Sequence, residues 1–206
     1  MKKIFVIVIL LIPILLFSQD EPPEMPDGYS SETTMKIAYF FGSLDLIEKD
    51  FPVPDDVKEY KDIVYKTIDS TELKLDIYHS KDIKEDAPLL LFIHGGGWKK
   101  GDKHDYLIYL VDFAKRGYVT ATVQYRFVDK VKYPAQILDV KAAVRWLKKY
   151  ADEYHIDKEN VAVIGGSAGG HLSLMVGYTS EVPDFDKEDS NASISSSVQA
   201  VVDLYG

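Results

Sequence analysis

From Tyr60 onward, the chain alternates short apolar runs with stretches of helical periodicity. Continuous apolar runs are typical of strands buried on both faces, and the helical stretches between them have the length of crossover connections. We predict strands at residues 88–93, 118–123, 161–164 and 198–204, preceded by an antiparallel pair at 62–68 and 73–78. The pattern indicates an α/β fold, with a mostly parallel sheet and helices on both of its faces.

Two helices are predicted between these strands, at residues 106–115 and 135–150. The second carries an apolar stripe at helical spacing, which we expect to pack on the sheet. The members of this stripe are Ile137, Val140, Val144 and Leu147. The polar residues between them are predicted to face water, and these are Asp139, Lys141, Arg145 and Lys148.

The first residues indicate the compartment. Lys2 and Lys3 precede an unbroken apolar run at residues 4–17, which is shorter than the roughly 20 residues that a membrane-spanning helix needs. This arrangement predicts a signal peptide at residues 1–19 and export to the periplasm or the medium, with no stable membrane span after leader removal. An uncleaved N-terminal membrane anchor is the alternative, because Leu16 or Phe17 stands where cleavage favours a small side chain.

The rest of the chain is predicted to have two parts. Residues 20–56 combine a linker rich in proline and acidic residues with a helix at 33–48, and residues 57–206 form the α/β domain. The formal net charge of -9, with no basic stripe, predicts a surface that repels phosphate backbones, so we expect no nucleic-acid partner. The sequence contains no cysteine, which excludes disulfide bonds and a cysteine-linked lipid anchor.

A glycine-rich turn follows the predicted strand at 161–164. The segment reads Gly165-Gly166-Ser167-Ala168-Gly169, a G-x-S-x-G pattern between a strand and a helix that we expect to start near His171. So sharp a turn requires a strained serine and glycines at both ends, because a Cβ there would collide with the neighbouring strand and helix. Ser167 is therefore a candidate nucleophile, and a plain turn or a phosphate-binding loop is the alternative.

A second glycine loop follows the predicted strand at 88–93, and it reads His94-Gly95-Gly96-Gly97-Trp98. Ligands of open parallel sheets bind beyond the carboxyl ends of the strands, where both loops are expected to lie. Backbone N–H groups of Gly96 and Gly97, with that of Ala168, are candidate donors to an oxyanion. Two such loops together favour ester hydrolysis through an acyl-serine.

Four segments carry a resemblance to a known family: HGGGW, Tyr125-Arg126, YPAQILDVKAAVRWL and GGSAGGHL. Together they resemble the hormone-sensitive-lipase-like branch of the α/β-hydrolases, and within it the exported bacterial acetyl-xylan and feruloyl esterases. The resemblance covers about residues 60–206. It implies an eight-stranded sheet, no metal and no cofactor. It also implies a small-molecule or polysaccharide ester as substrate, Ser167 as the nucleophile, and Gly96, Gly97 and Ala168 as oxyanion donors.

The resemblance also implies an acid and a base that follow the serine, in the order Asp or Glu, then His. After Ser167 the sequence has one histidine, His171, which we interpret as structural because its helix leads away from the site. We therefore expect the triad acid, the triad base and the C-terminal strands to be absent from this chain. The hypothesis is an esterase domain represented through about its sixth strand and with little turnover. The alternative is a catalytically dead exported protein that binds acylated saccharides.

Other residues receive secondary predictions. Trp98 and Tyr125 are candidates to border the substrate pocket, although core packing explains them equally well. His94 is predicted to brace the glycine loop by a hydrogen bond. Asp203 is interpreted as a hydrogen-bond acceptor inside a strand. The strand at 198–204 would leave an open apolar edge, which predicts self-association.

Overall fold

The computed structural model describes residues 51–180, 182–185 and 191–206. Within them, six strands and three α-helices alternate in the predicted order. The strands are β1 (Val57–Ile68), β2 (Thr71–Ser80), β3 (Ala87–Ile93), β4 (Val119–Val123), β5 (Ile156–Gly165) and β6 (Ala200–Asp203). The helices are α1 (Leu107–Lys115), α2 (Ala135–Lys149) and α3 (Ala168–Tyr178), and short 3₁₀ turns lie at Ala151–Glu153 and Pro183–Phe185.

The strands form one sheet in the order β1-β2-β4-β3-β5-β6. β1 and β2 are antiparallel to each other, and β2 is antiparallel to β4. The remaining neighbours, β4 with β3, β3 with β5 and β5 with β6, are parallel. The predicted fold class, a mostly parallel sheet of the α/β type opened by an antiparallel pair, is confirmed.

Helices cover both faces of this sheet, and a separate apolar cluster lies beneath each layer. One cluster joins α2 and α3 to inward-facing residues such as Leu91 and Val163. The other joins α1 to Tyr78, Phe92 and Ile164. Adjacent residues of one strand therefore enter opposite clusters, as the alternation of side chains along a strand requires. The central strands are buried on both faces, which explains the apolar run of β3 and the small, buried side chains of β4.

The polar face of α2 is where the sequence prediction was wrong. Asp139, Lys141 and Arg145 are at most 2 % exposed, and Lys148 is half-buried. Other parts of the chain cover this face and supply polar partners. Lys66 of β1 donates to Asp139 at 3.0 Å, and Lys141 donates to the backbone carbonyl of Thr179 at 2.6 Å. Because a buried charge needs a partner, polar residues at helical spacing do not by themselves identify a solvent-facing side.

Several element boundaries differ from prediction. Strand β1 begins at Val57 instead of 62, and β5 begins at Ile156 instead of 161. Helix α3 begins at Ala168, directly after the serine, and β6 covers Ala200–Asp203 instead of 198–204. The predicted leader, linker and helix at 33–48 lie outside the described residues. Among the described residues, none of the helices combines the length and the apolar character needed to cross a membrane.

Candidate active site

The two glycine loops leave neighbouring strands at the same height. β3 and β5 are parallel, and their last residues, Ile93 and Gly165, stand directly opposite each other. A Cβ built on Gly95 would lie 3.5 Å from the Cβ of Ser167 and 2.8 Å from the carbonyl oxygen of Gly166. The glycine loop and the serine turn are thus in contact across the carboxyl edge of the sheet.

Ser167 occupies a strained position at the tip of this turn. Its φ of 55° and ψ of -124° lie where a residue with a side chain is rarely found, and it is solvent-exposed although the residues on either side are buried. Its backbone N–H donates to the carbonyl of Tyr205 at 3.1 Å. The strand, the turn and α3 therefore present the side chain outward at the N-terminus of a helix, where the helix dipole favours negative charge.

Close packing explains the glycines on either side of the serine. A Cβ on Gly165 would lie 2.3 Å from the backbone of Gly169, at the start of α3. A Cβ on Gly169 would lie 2.0 Å from the carbonyl oxygen of Ile93. Any larger residue would separate the helix from the turn or from β3, which agrees with the packing argument made from the sequence.

The glycine loop folds back on itself. Gly96 and Gly97 have φ values of 102° and 61°, and Trp98 also has a positive φ of 60°. The carbonyl of Gly96 accepts hydrogen bonds from the N–H groups of Lys99 and Lys100, at 3.1 and 3.2 Å. With its carbonyl held in this way, the peptide that follows Gly96 directs the N–H of Gly97 to the opposite side.

Two buried rings support the loop from behind. His94 is 1 % exposed and its Nδ1 lies 2.9 Å from the carbonyl of Gly95. The ring of Tyr125 stacks on that of His94 with 4.4 Å between centroids, and the Tyr125 hydroxyl donates to the carbonyl of His94 at 2.9 Å. Burial lowers the pKa of His94, so the ring is neutral at pH 7. These contacts match the bracing that the sequence predicts for His94.

Tyrosines also border the serine turn. The hydroxyl of Tyr106 and the ring of Tyr205 lie within 3.1 Å of the position that a Cβ on Gly166 would take. Burial raises the pKa of Tyr106 to about 12, so its hydroxyl keeps its proton at physiological pH. Sequence reasoning did not single out either tyrosine, because their proximity to the turn arises from long-range packing.

His171 lies one turn into α3, and its half-buried ring packs edge-on against Trp98 with 5.3 Å between centroids. Its Nδ1 is buried and has no hydrogen-bond partner among the described residues. Trp98 also packs against the larger apolar cluster. Asp203, interpreted as an internal acceptor, is instead the exposed last residue of β6, and its carboxylate accepts from the N–H groups of Tyr205 and Gly206.

A buried ion pair fixes the segment that follows the glycine loop. Lys103 is 3 % exposed, and its Nζ lies 2.5 Å from both carboxylate oxygens of Asp76, which has no exposure at all. Asp62 adds a contact at 3.0 Å, and the pKa of its carboxyl is lowered by its hydrogen bond to Lys103. Sequence reasoning missed this pair. The sequence feature that could have indicated it is Asp76, an aspartate between the apolar residues Leu75 and Ile77 of β2.

A cleft of about 660 Å³ lies on the other side of β3 from Ser167, next to β4. Its lining comes from the β1–β2 turn and from the ends of β3 and β4, and includes Glu72, His94, Asp102, Tyr125 and Lys130. Tyr125 lines this cleft, which does not include Ser167, so its predicted place at the substrate pocket stays a prediction. It is 3 % exposed and its hydroxyl is engaged with the glycine loop.

Comparison with known proteins bears directly on this geometry. Residues 75–206, which include both glycine loops, match the BD-FAE family. The chain belongs to the BD-FAE family. This is a hormone-sensitive-lipase-like family of α/β-hydrolases, so the resemblance stated from the sequence is confirmed. The match begins in β2 and extends to the last residue of the chain.

Several relatives of this BD-FAE chain are named as esterases. Esterase LipC of Mycobacterium tuberculosis is 38 % identical over 135 residues, which is 64 % of this chain and 33 % of LipC. Carboxylesterase NlhH of the same species is 33 % identical over 108 residues, or 52 % of this chain and 34 % of NlhH. The chain thus spans about a third of the length of these two relatives.

Solved structures show the same fold. A butyrate-bound esterase of Thermogutta terrifontis is 32 % identical with a TM-score of 0.64, and the match covers 72 % of this chain and 53 % of that one. The apo form of Thermogutta terrifontis esterase 2 has a TM-score of 0.65 at 31 % identity, with 76 % and 57 % covered. The α/β-hydrolase fold assigned from the sequence is confirmed.

Proposed function

We propose that this chain carries the nucleophile and the oxyanion loop of a serine carboxylester hydrolase. The observation that carries the proposal is the exposed, strained Ser167 at the end of β5, in contact with a glycine loop at the end of β3. A loop that only connected two elements would have no need of a strained serine. The esterase names of the relatives support the same chemistry.

The reaction proposed for this site proceeds in two steps. The Ser167 oxygen attacks the ester carbonyl carbon while its proton passes to a base, and the carbonyl oxygen becomes an oxyanion. The backbone N–H groups of Gly96, Gly97 and Ala168 stabilise that charge, each at a value of about 3 kcal/mol. Collapse expels the alcohol, which takes the proton, and leaves an acyl-serine. Water then attacks the acyl group and releases the acid and the free serine.

A second part of the proposal concerns the rate at which this chain hydrolyses esters. His171 packs on Trp98, and we do not assign it the role of base. The triad base and acid are not assigned to any residue of this chain, so we expect the 206 residues to turn over esters slowly. Oxyanion stabilisation and binding alone contribute about 10³-fold over water, which is enough for slow covalent labelling.

Labelling tests the nucleophile. An organophosphate with a p-nitrophenol leaving group should react once per chain, with release of p-nitrophenol and a mass increase located at Ser167. Ser167→Ala should abolish the increase. Ser195→Ala is the matched control, since Ser195 is an exposed serine in the loop before β6, and it should label like the unchanged protein.

Two outcomes would contradict this proposal. Equal labelling of the Ser167→Ala protein would show that the serine is not the nucleophile. Rapid steady hydrolysis of p-nitrophenyl acetate, lost in Ser167→Ala, would retain the nucleophile and overturn the slow-turnover proposal. A protein that binds acetylated xylan oligosaccharides but never labels would instead support the dead-binder alternative.

The proposed substrate has a small acyl group. One structural neighbour is described as butyrate-bound, and a relative with 31 % identity is named versiconal hemiacetal acetate esterase. These names support a short acyl group such as acetyl. Acetyl or feruloyl esters on plant polysaccharide, of which feruloyl is the larger alternative, rest on the resemblance to exported esterases. Labelling rates with p-nitrophenyl acetate, butyrate and octanoate and with ethyl ferulate would rank the acyl groups. Preference for octanoate would contradict the small-acyl proposal.

Export and self-association are also proposals. The basic start and apolar run at residues 4–17 support a cleaved leader, and N-terminal sequencing of protein from the periplasm or medium would test it. Val202, Leu204 and Tyr205 are 41–72 % exposed at β6, which supports association through this edge. A monomer at all concentrations in sedimentation equilibrium would contradict the second proposal.

A further inference from the structure

We propose that Tyr125 is a positioning residue that sets the direction of the Gly96 N–H, an inference that rests on the oxyanion role proposed for this loop. The contacts of the Tyr125 hydroxyl are with the glycine loop. Tyr125 acts on the carbonyl groups of His94 and Gly95. In each of these two peptide units, the N–H group points away from the carbonyl that Tyr125 holds.

The contacts are specific. The Tyr125 hydroxyl lies 2.9 Å from the carbonyl oxygen of His94 and 3.3 Å from that of Gly95. The Gly95 carbonyl also lies 2.9 Å from Nδ1 of His94. A carbonyl oxygen only accepts hydrogen bonds, so Nδ1 carries the proton and donates it. The Gly95 carbonyl is therefore held by a ring nitrogen and by a shared hydroxyl proton.

Because a peptide unit is planar, fixing the Gly95 carbonyl also fixes the direction of the Gly96 N–H. In a trans peptide the C=O and the next N–H point in opposite directions within one plane. When the carbonyl of Gly95 is fixed toward Tyr125 and His94, the N–H of Gly96 is fixed toward the other side of the loop. The adjacent carbonyl of Gly96 is held separately by Lys99 and Lys100, which does the same for Gly97.

A glycine loop needs such support. Gly96 adopts a φ of 102°, which residues with side chains rarely adopt, and without a Cβ the peptides on either side of a glycine rotate easily. A rotated peptide would turn a carbonyl toward a developing oxyanion and would repel it. Donors fixed before charge develops are the ones that stabilise the transition state.

Tyr125 is itself firmly held. It is 3 % exposed, its ring stacks on His94, and Phe127 packs edge-on against it with 5.8 Å between centroids. The next residue, Arg126, makes a two-pronged ion pair with Asp139 of α2, at 2.8 and 2.9 Å, and its backbone N–H donates to the same carboxylate. The position of the hydroxyl is thereby tied to a helix of the core.

The test is Tyr125→Phe in the full chain, which removes the hydroxyl and keeps the stacked ring. With ¹⁵N-glycine labelling, the Gly95 and Gly96 amides should shift and exchange with solvent faster. The labelling rate at Ser167 with the organophosphate should fall about 10-fold at saturation, while the concentration for half-maximal rate stays within about twofold. Tyr154→Phe is the matched control, because Tyr154 is also a buried tyrosine, lies before β5 at the opposite end of the sheet, and should change none of these quantities.

The outcomes separate this inference from the proposed function. Unchanged Gly96 signals in Tyr125→Phe would overturn the positioning role, and so would an unchanged labelling rate in a protein whose Ser167 is reactive. If Ser167 never labels in the unchanged chain but the Gly96 amide shifts in Tyr125→Phe, the positioning stands and the proposed function fails. His94→Gln provides a second variant, since loss of the other donor to the Gly95 carbonyl should shift the same amide.

Discussion

Two buried histidines, one at each end of the sheet, make the same hydrogen bond in different backbone settings. His94 follows β3 at the carboxyl end, with Nδ1 2.9 Å from the carbonyl of Gly95. His79 lies in β2, level with the amino ends of the parallel strands, with Nδ1 2.7 Å from the carbonyl of Ser80. Burial lowers the pKa of both rings. The hydrogen bonds and pKa shifts of these two histidines therefore do not distinguish the carboxyl end of the sheet from the amino end.

The backbone does distinguish them. His79 belongs to a regular strand, and its ring contacts those of Tyr60 and His155 with 5.7 and 5.5 Å between centroids. His94 opens a loop of glycines with positive φ values beside an exposed serine. One end of the sheet is closed by packed rings, while the other offers backbone N–H groups to a ligand. The comparison teaches that the candidate site is made by main-chain conformation, and that histidines locate it poorly.

The largest expected effect comes from the ion pair that holds the carboxyl-end loop to the sheet. Asp76→Asn leaves Lys103 buried without its main counter-charge, because Asp62 is largely exposed. We expect the free energy of unfolding to fall by about 3 kcal/mol, measured by urea denaturation at pH 7. Hydrogen exchange should also quicken at residues 95–101 and leave the strand around His79 protected.

The control for this change is a surface ion pair. Asp112→Asn removes a contact of 2.7 Å with Arg116 on α1, where both side chains are about half-exposed or more. The expected loss is below about 0.5 kcal/mol. If the two variants lost similar amounts of unfolding free energy, the burial of the Lys103–Asp76 pair would add nothing to its contribution to stability.

A smaller effect is expected from a glycine at each end. Gly169→Ala places a Cβ 2.0 Å from the Ile93 carbonyl, which should cost about 2 kcal/mol and lower the labelling rate at Ser167 as α3 shifts. Gly117→Ala, at the turn before β4, meets no atom within 4 Å but has a φ of 93°. It should cost about 1 kcal/mol and leave labelling unchanged. Thermal unfolding and labelling of both variants measure the difference.

The sequence predicts the sheet well because the central strands are rich in apolar and β-branched residues, and it locates both glycine loops because their turns require glycine. It fails where partners lie far along the chain. Asp139 and Lys141 looked solvent-exposed because the strand and loop that bury them cannot be inferred from helical spacing. Tyr125 received only a general pocket role for the same reason, since its carbonyl partners are about 30 residues away.

The smallest expected effect is the acid sensitivity shared by the two histidines. Each has a folded-state pKa below its unfolded value of about 6.5, so the unfolded chain binds protons first as the pH falls. The stability that each neutral ring contributes is complete above pH 6.5 and is lost as the pH falls through the lowered pKa.

His79→Phe and His94→Gln should each flatten the decline in the free energy of unfolding between pH 7 and 5, by at most about 1.4 kcal/mol per pH unit. Urea titrations at several pH values measure this slope. For His79 the facing charged groups are His155 and Lys58, which lower the pKa further, and for His94 they are Asp102 and Asp105, which oppose the lowering. Burial is the largest cause for both rings, so the two effects share their sign. Only His94→Gln should also shift the NMR signal of the Gly96 amide, because of the two rings only His94 is hydrogen-bonded to a peptide of the candidate site. A shift of this signal in His79→Phe would mean that the two ends of the sheet are coupled.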